Sequence, residues 1–389
     1  MKKSEQQSMV ATLKRIDNLV DKVEDWSRLP VEPLVSVYMI TYNHEKFIAQ
    51  ALDGILMQEV DFPYEIVIGE DKSTDRTRAV VCEYQRRHPD KIRLHLSREN
   101  LFRQKLAGLG PLAACRGKYI AMCEGDDYWT DPQKLQKQVA VLEAEPELSA
   151  CFTNAAVENE NGDAQPSVWL GAGAPFSFGL KPDKSLLSQA DMIRRHSIPT
   201  CTLVMRAVHV RDLPAWTQRV PTGDWALAMV LTEHGPVRFL DELTAVYRRH
   251  SQGIWTVLGT DQRLAHFALR MKIYLPYAPT SQRPLLKEQL NEALGYLRRH
   301  AIGKMAAQLE AGQSRKPTAT HVWVNLFGRM GYRSLSREAW ERYFQAAYFK
   351  QDRPAARTRL FNLLIRHPSW LFRRGSLGQI VRTLAGRLG

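Results

Sequence analysis

The densest chemistry in the chain lies in one short stretch, Glu124-Gly125-Asp126-Asp127, three carboxylates interrupted by a single glycine. Such acids repel one another, and burying them unpaired is costly. A divalent cation in front of Asp126 and Asp127 would relieve that repulsion, because hard cations favour carboxylate oxygens. Taken alone, the pair also fits an ordinary polar turn. Two further polar clusters, Thr41-Tyr42-Asn43-His44-Glu45 and Glu70-Asp71-Lys72-Ser73-Thr74-Asp75, likewise follow directly on apolar runs.

Those runs name the elements that must position the acids. Lys118 to Cys123 is a short apolar run of the kind that forms a strand buried on both faces. The chain then turns into a helix, with Asp131 suited to the N-cap, Pro132 to the first helical position, and Leu135, Val139 and Leu142 on one face. Val35 to Ile40 reads as the first strand, followed by a helix whose Phe47, Ile48, Ala51, Leu52 and Ile55 share a side. Glu65 to Gly69 reads as the second strand, after which Ser73, Thr74 or Asp75 can cap another helix. Ile92 to Leu96 is a third strand, before a basic segment with Arg98, Arg103 and Lys105. Strand and helix alternate at βαβ spacing, which predicts an α/β fold with a doubly wound, mostly parallel sheet flanked by helices. In such a sheet the strand ends lie on one edge, so the three polar clusters converge on a single cleft.

The rest of the chain divides around this block. Residues 1–33 read as a polar helical lead-in (Leu13, Ile16, Leu19, Val20, Val23), 34–258 as the catalytic domain and 259–389 as a helical, basic C-terminal region. Within the domain, Leu148 to Thr153 and Thr200 to Met205 are strand-like, and residues 158–185 form a loop over the cleft. Thr222-Gly223-Asp224-Trp225 opens a helix to about His234. Val237 to Leu240 and Thr244 to Tyr247 read as two strands, the second leading into Arg248-Arg249-His250.

Composition narrows the classes. With 44% hydrophobic and 24% charged residues the chain is globular rather than disordered. Five scattered cysteines lack metal-ligand spacing and fit reduced thiols. The polar opening residues lack the apolar core of a secretion signal, so the expected location is cytoplasmic. No GxGxxG follows the first strand and no Walker loop occurs, which disfavours a dinucleotide oxidoreductase or a P-loop NTPase. Net charge is +13, and from Arg353 to Gly389 there are eight arginines and no acid. A polyanionic surface is the expected partner of such a segment. Leu360 to Arg366, Trp370 to Arg374 and Leu377 to Leu388 set apolar side chains beside arginine, as an interfacial membrane helix does; the same helices could instead pack on the catalytic domain.

Four blocks together resemble the family 2 glycosyltransferases of the GT-A fold: Val35-Ser36-Val37 with Thr41-Tyr42-Asn43; Glu70 to Asp75; Glu124 to Trp129; and Gly223-Asp224-Trp225 with Tyr247-Arg248-Arg249-His250. Each is weak singly, and their order and spacing make the set specific over about Val35 to Trp255. The chain departs from the commonest pattern at Glu70-Asp71-Lys72, where the family often has Asp-Asp-Gly. The resemblance implies that Thr41, Tyr42 and Asn43 line a nucleotide pocket, that Asp71 accepts a hydrogen bond from the base and that Asp126 faces the nucleoside. It implies that Asp127 and His250 hold a Mg²⁺ or Mn²⁺ bridging the diphosphate, and that Asp224 is the catalytic base of an inverting transfer. Independently of the resemblance, Arg103 and Lys105 of the basic segment could clamp the diphosphate or be merely exposed loop charges. The donor would be a nucleotide sugar of the UDP type. The acceptor would be a saccharide or a lipid-linked one at the inner face of the membrane.

Each role has a plainer rival. Asp71 can cap a turn, Asp224 a helix start, His250 can sit in a solvated basic turn, and Trp225 and Trp255 can be core rather than sugar platforms. For the whole chain, the arginine-rich segment suggests a nucleic-acid-binding protein, but an acid-lined cleft repels phosphate and no nucleic-acid motif occurs. No nucleic acid is therefore expected as a partner. A nucleotide-sugar binder or hydrolase that transfers nothing is the remaining alternative.

Overall fold

A computed structural model describes residues 3–104, 106–160, 167–169, 185–194, 198–253, 256 and 258–310. Two compact units emerge, Met1–Leu258 with Ile273–Gln289, and Gly259–Lys272 with the chain from Leu290 onward.

The first unit is built on one sheet. After helix α1 (Lys3–Asp17), strand β1 (Val20–Val23) leads to β2 (Val35–Thr41), helix α2 (Ile48–Leu56), β3 (Tyr64–Glu70), α3 (Thr77–Arg87) and β4 (Ile92–Ser97). A short α4 (Leu109–Ala114) precedes β5 (Tyr119–Met122), the two-residue β6 (Tyr128–Trp129), α5 (Lys134–Ala144) and β7 (Ala150–Asn159). The short strands β8 (Ser167–Val168) and β9 (Leu186–Leu187) pair with β7 and with the later β11. Helix α6 (Gln189–Arg194), β10 (Val204–Arg206), α7 (Gly223–His234) and β11 (Val237–Arg249) complete the sheet, in the order β1-β4-β3-β2-β5-β10-β7-β11-β6.

Strands β4, β3, β2 and β5 run parallel, as the alternation predicts. Every residue of β3 is buried, the expected state of a central parallel strand covered on both faces. Helix α2 buries Ile48, Ala51, Leu52 and Ile55, the apolar face read from the sequence. It lies so close to β6 that a Cβ on Gly54 would come within 2.7 Å of the Trp129 carbonyl oxygen. Leu135, Val139 and Leu142 of α5 join the same core, although regular helix begins only at Lys134. Asp131 still acts near that start, accepting the Gln133 N–H at 2.9 Å.

Three expectations are corrected. Val20 and Val23, read as part of a helical lead-in, form a strand antiparallel to β4, because the outer edge of β4 offers unpaired backbone groups that a helix would leave open. Val237 to Leu240 and Thr244 to Tyr247 belong to one strand, which runs past the exposed Asp241-Glu242-Leu243 with register shifts on either side of Leu243. Thr200 to Thr202 is a 3₁₀ turn, and only Val204–Arg206 pairs, antiparallel to both β5 and β7. That antiparallel insertion separates the parallel set β2–β5 from the parallel pair β7 and β11.

Beyond Leu258 come helices α8 (Thr260–Tyr274) and α9 (Arg283–Glu310), in keeping with the helical pattern. In the first unit Tyr274 packs against Trp216 and Trp225. In the second, Ala268, Ala293 and Leu294 form a small core. No helix among the described residues is long and apolar enough to cross a membrane. Most of the loop expected over 158–185 and the arginine-rich segment 353–389 lie outside the described residues.

Candidate active site

Three loops meet where β2, β3 and β5 end, and the first two are laced together. The Asn43 N–H donates to Ser73 Oγ at 3.0 Å, and the Thr74 N–H returns to Asn43 Oδ1 at 2.8 Å. The His44 N–H donates to Thr77 Oγ1 at 2.8 Å, and the Glu45 N–H to Asp75 Oδ2 at 3.1 Å. Asp75, one of the expected caps, takes the Thr77 N–H, while Ser73 and Thr74 serve the neighbouring loop instead. Both loops turn through a left-handed residue, Asn43 at φ 55° and Lys72 at φ 58°. Glycine adopts that conformation without strain, so Lys72 keeps the turn made where the resembling family often carries glycine.

The third loop carries the acids. Gly125 is pressed onto Thr41: an added Cβ would lie 2.5 Å from Thr41 Oγ1. Asp126 Oδ2 lies 3.0 Å from His250 Nε2 and 3.7 Å from His44 Nε2. These three ligand atoms all fall within 4.8 Å of one another. Burial alone would raise the Asp126 pKa, but the His250 bond and the nearby His44 outweigh it and hold it below the usual range. His44, foremost because it is buried, sits below the ordinary histidine value, so its ring is a neutral donor at pH 7. Two imidazole nitrogens and an ionised carboxylate oxygen are a donor set that fits a divalent cation.

The sequence assigned the ligand role to Asp127, and the structure turns that residue inward. Asp127 is only 2% exposed, and its Oδ1 accepts the Arg248 N–H at 2.8 Å. Burial, then Asp126 and Glu124, push its pKa well above the usual range. Arg248 Nη1 in turn donates to the Asp126 carbonyl at 3.1 Å, and its guanidinium lies over the Phe47 and Tyr128 rings. Strand β6 pairs with β11 at Ala245 and Val246, so the acids and His250 are held to one frame. Glu124 has its pKa pushed up to about 7, first by burial and then by Asp126, and its Oε2 has no hydrogen-bond partner.

The remaining expected residues are distributed as follows. Thr41 is buried beneath Gly125, and its Oγ1 lies 3.3 Å from His44 Nδ1. Tyr42 is 39% exposed at the cleft. Asp71 is buried, and its two oxygens accept the Leu101 and Phe102 N–H groups at 2.7 and 2.9 Å, tying down the loop that carries Arg103. Burial, outweighing those two bonds, raises its pKa to about 6. Asp224 stands in the first turn of α7, half-buried, with Oδ1 accepting the Trp225 N–H at 2.7 Å. Its charge adds a small upward push to the Glu124 pKa. Trp225 is fully buried against Tyr274 and is core rather than platform. Lys105 and Trp255 lie outside the described residues. His44 was missed by sequence reasoning: it stands inside the first polar cluster, and only the convergence of strand ends could have singled it out.

The profile of glycosyl transferase family 2 matches residues 36–211, a span that includes the acids and stops short of His250. An uncharacterised protein of Mycobacterium tuberculosis is 38% identical over 235 residues, 59% of this chain and 62% of that protein, so the match spans under two thirds of the relative. The putative glycosyltransferase EpsE of Bacillus subtilis is 30% identical over 200 residues, 49% of this chain and 68% of EpsE. Among solved structures, S. aureus TarS in complex with UDP-GlcNAc superposes with a TM-score of 0.51 at 16% identity, over 75% of this chain and 79% of that one.

Proposed function

The chain belongs to glycosyltransferase family 2 and has the GT-A fold, and on that premise we propose that it moves a sugar from a nucleotide-sugar donor to an acceptor hydroxyl by single displacement with inversion. What supports this above all is the meeting of Asp126 and His250 at the carboxyl ends of parallel strands, with Asp224 in the first turn of α7 as the acid that the resemblance makes the base. Tyr42 and Asp71 border the nucleoside side, and Asp71 also anchors the loop of Phe102 and Arg103. Nucleotide-sugar binding has a precedent in TarS, which holds UDP-GlcNAc on this fold.

Asp224 accepts the acceptor proton as the hydroxyl oxygen bonds to the anomeric carbon. The bond from that carbon to the diphosphate breaks, and its electron pair leaves with the nucleoside diphosphate. A Mg²⁺ or Mn²⁺ held by Asp126 and His250 would offset the charge that builds on the leaving group. Arg248 keeps the Asp126 backbone in register, and Asp127 holds β11 so that His250 faces the acids. The acceptor is a saccharide or a lipid-linked one, and the arginine-rich segment 353–389 attaches the enzyme to an anionic leaflet. Vesicle flotation with and without anionic lipid tests that attachment.

Asp224→Asn keeps the shape and removes the proton acceptor. With a donor identified by mass profiling of nucleotide sugars, turnover should fall about 10²-fold or more while donor binding is kept. Retained configuration in the wild-type product, read by NMR, would overturn the single displacement.

A further inference from the structure

We propose that His44 is a third metal ligand, and that the resulting centre of two imidazoles and one carboxylate takes a first-row transition ion in preference to Mg²⁺. The proposal rests on the metal-assisted reading above and deepens it by naming the ion class. It starts from a distance. His44 Nε2 stands 3.7 Å from Asp126 Oδ2, beyond hydrogen-bond reach but aimed at the same oxygen that His250 Nε2 meets at 3.0 Å. Two ligand atoms about 2.1–2.2 Å from one ion lie about 3.0 Å apart at a right angle and about 3.7 Å apart near 120°. The 3.0 Å separation is that of a hydrogen bond and also fits a shared ion, while the 3.7 Å separation is too long for a hydrogen bond and fits ligands sharing an ion.

The ring is also held in the way a ligating histidine is. Such a histidine has its other nitrogen fixed by a hydrogen-bonding partner, which sets tautomer and orientation. Thr41 Oγ1 lies 3.3 Å from His44 Nδ1, and Thr41 is itself immobilised under Gly125. The His44 backbone N–H donates to Thr77 Oγ1, which fixes the main chain that carries the ring. Phe47 packs at 6.5 Å from the His44 ring and 5.0 Å from the His250 ring, so both imidazoles lean on one apolar side chain. Nothing in this arrangement is needed for a loop that merely caps a strand.

Ion preference follows from the donors. Mg²⁺ demands oxygen and sheds water reluctantly, whereas nitrogen donors favour the transition ions, with Co²⁺ above Mn²⁺. A carboxylate alone would not discriminate in this way. Two imidazoles beside it would.

The test uses the full chain, stripped of metal and without donor. Mn²⁺ binding is followed by the loss of the free-ion EPR signal, and Co²⁺ binding by its visible absorption bands. Wild type should hold Mn²⁺ at least about tenfold more tightly than Mg²⁺, and Co²⁺ more tightly still. His44→Ala should weaken Mn²⁺ by about 10–100-fold, and Thr41→Val by about tenfold, with circular dichroism unchanged. His44→Glu, which restores a donor atom as oxygen, should narrow the Mn²⁺ to Mg²⁺ ratio at least about tenfold. Wild-type affinity for Mn²⁺ in His44→Ala, or equal hold on Mn²⁺ and Mg²⁺ in wild type, overturns the proposal even where sugar transfer is seen. Histidine-dependent Mn²⁺ binding without transfer from any donor would instead sink the enzymatic reading and leave the site standing.

Discussion

Strands β2 to β5 end in buried carboxylates on both edges of the sheet, and the two sets are treated differently. At the amino ends, Glu65 is wholly buried and fully satisfied. Its Oε1 accepts from Ser36 Oγ at 2.7 Å and from the Arg116 N–H at 2.9 Å, and its Oε2 from Arg93 and both Nε and Nη2 of Arg116. Burial alone would raise its pKa, but the Arg116 and Ser36 bonds win and hold it below the usual range. At the carboxyl ends, Glu124 and Asp127 are pushed upward, and Glu124 Oε2 lacks a partner. Burial is common to both edges, so burial does not make a site. The difference lies in whether the chain supplies the compensating donors itself or leaves that to a ligand.

Removing an acid from each edge should separate the two roles. Asp126→Asn is expected to lower transfer about 10³-fold or more, equivalent to about 4 kcal/mol of barrier, while thermal stability falls only slightly, the lost bond to His250 being partly offset as repulsion with Glu124 and Asp127 eases. A marked loss of Tm would mean that Asp126 is structural, as Glu65 is. Glu65→Gln should do the reverse. Arg116, a quarter exposed, loses its counter-charge and the buried Arg93 is left with Glu24 alone, so urea unfolding should report about 3–5 kcal/mol less stability. Turnover per folded molecule should be unchanged.

Protons offer a gentler way to set the edges against each other. Asp71, at the carboxyl end of β3, has a folded pKa of about 6 against 3.8 ordinarily. The folded state thus holds this proton more tightly, so the contribution is complete below about pH 4 and is lost as pH rises through about 6, on the order of 2–3 kcal/mol. Glu65 is lowered, so its contribution is present above its ordinary value and is lost on acidification. The stability of wild type relative to Asp71→Asn should therefore fall between pH 4 and 7 in urea titrations. Parallel curves for the two proteins would show that Asp71 does not carry this proton. The smallest effect belongs to Trp26, whose ring lies under Arg93 and Arg116 at 4.8 and 5.0 Å. Trp26→Ala should cost about 1–2 kcal/mol by unfolding and leave metal binding untouched.

Much of this was legible in the sequence, for physical reasons that also mark where legibility stops. Apolar runs of strand length and the α2 face at Ile48, Ala51, Leu52 and Ile55 report burial directly, so the parallel strands and their convergent ends could be read. Val20 and Val23 suit a helix as well as a strand, and the free edge of β4 decided between them. Asp241 and Glu242 look like a break because they are exposed, yet β11 runs on through them. Which of the adjacent Asp126 and Asp127 faces the cleft depends on a turn beyond the last strand residue, Met122, where alternation no longer applies. The Arg248 N–H settles it by capturing Asp127. No periodic signal marks His44 either, since its importance comes entirely from residues distant in the chain.

The bond between His250 and Asp126 spans 124 residues of chain. That separation sets an order of events during synthesis. Strands β2 to β5 pair with one another within the first 122 residues, so their parallel ladder can begin to gather while the residues that complete its core are still being made. Until β11 has been added, the acid loop has neither the Arg248 amide nor the second imidazole, and the proposed metal site is incomplete. If the proposed site takes up metal, that uptake would come late and would report that the whole sheet is in place. On that reading, an unfinished chain is silent because its last ligand has not arrived.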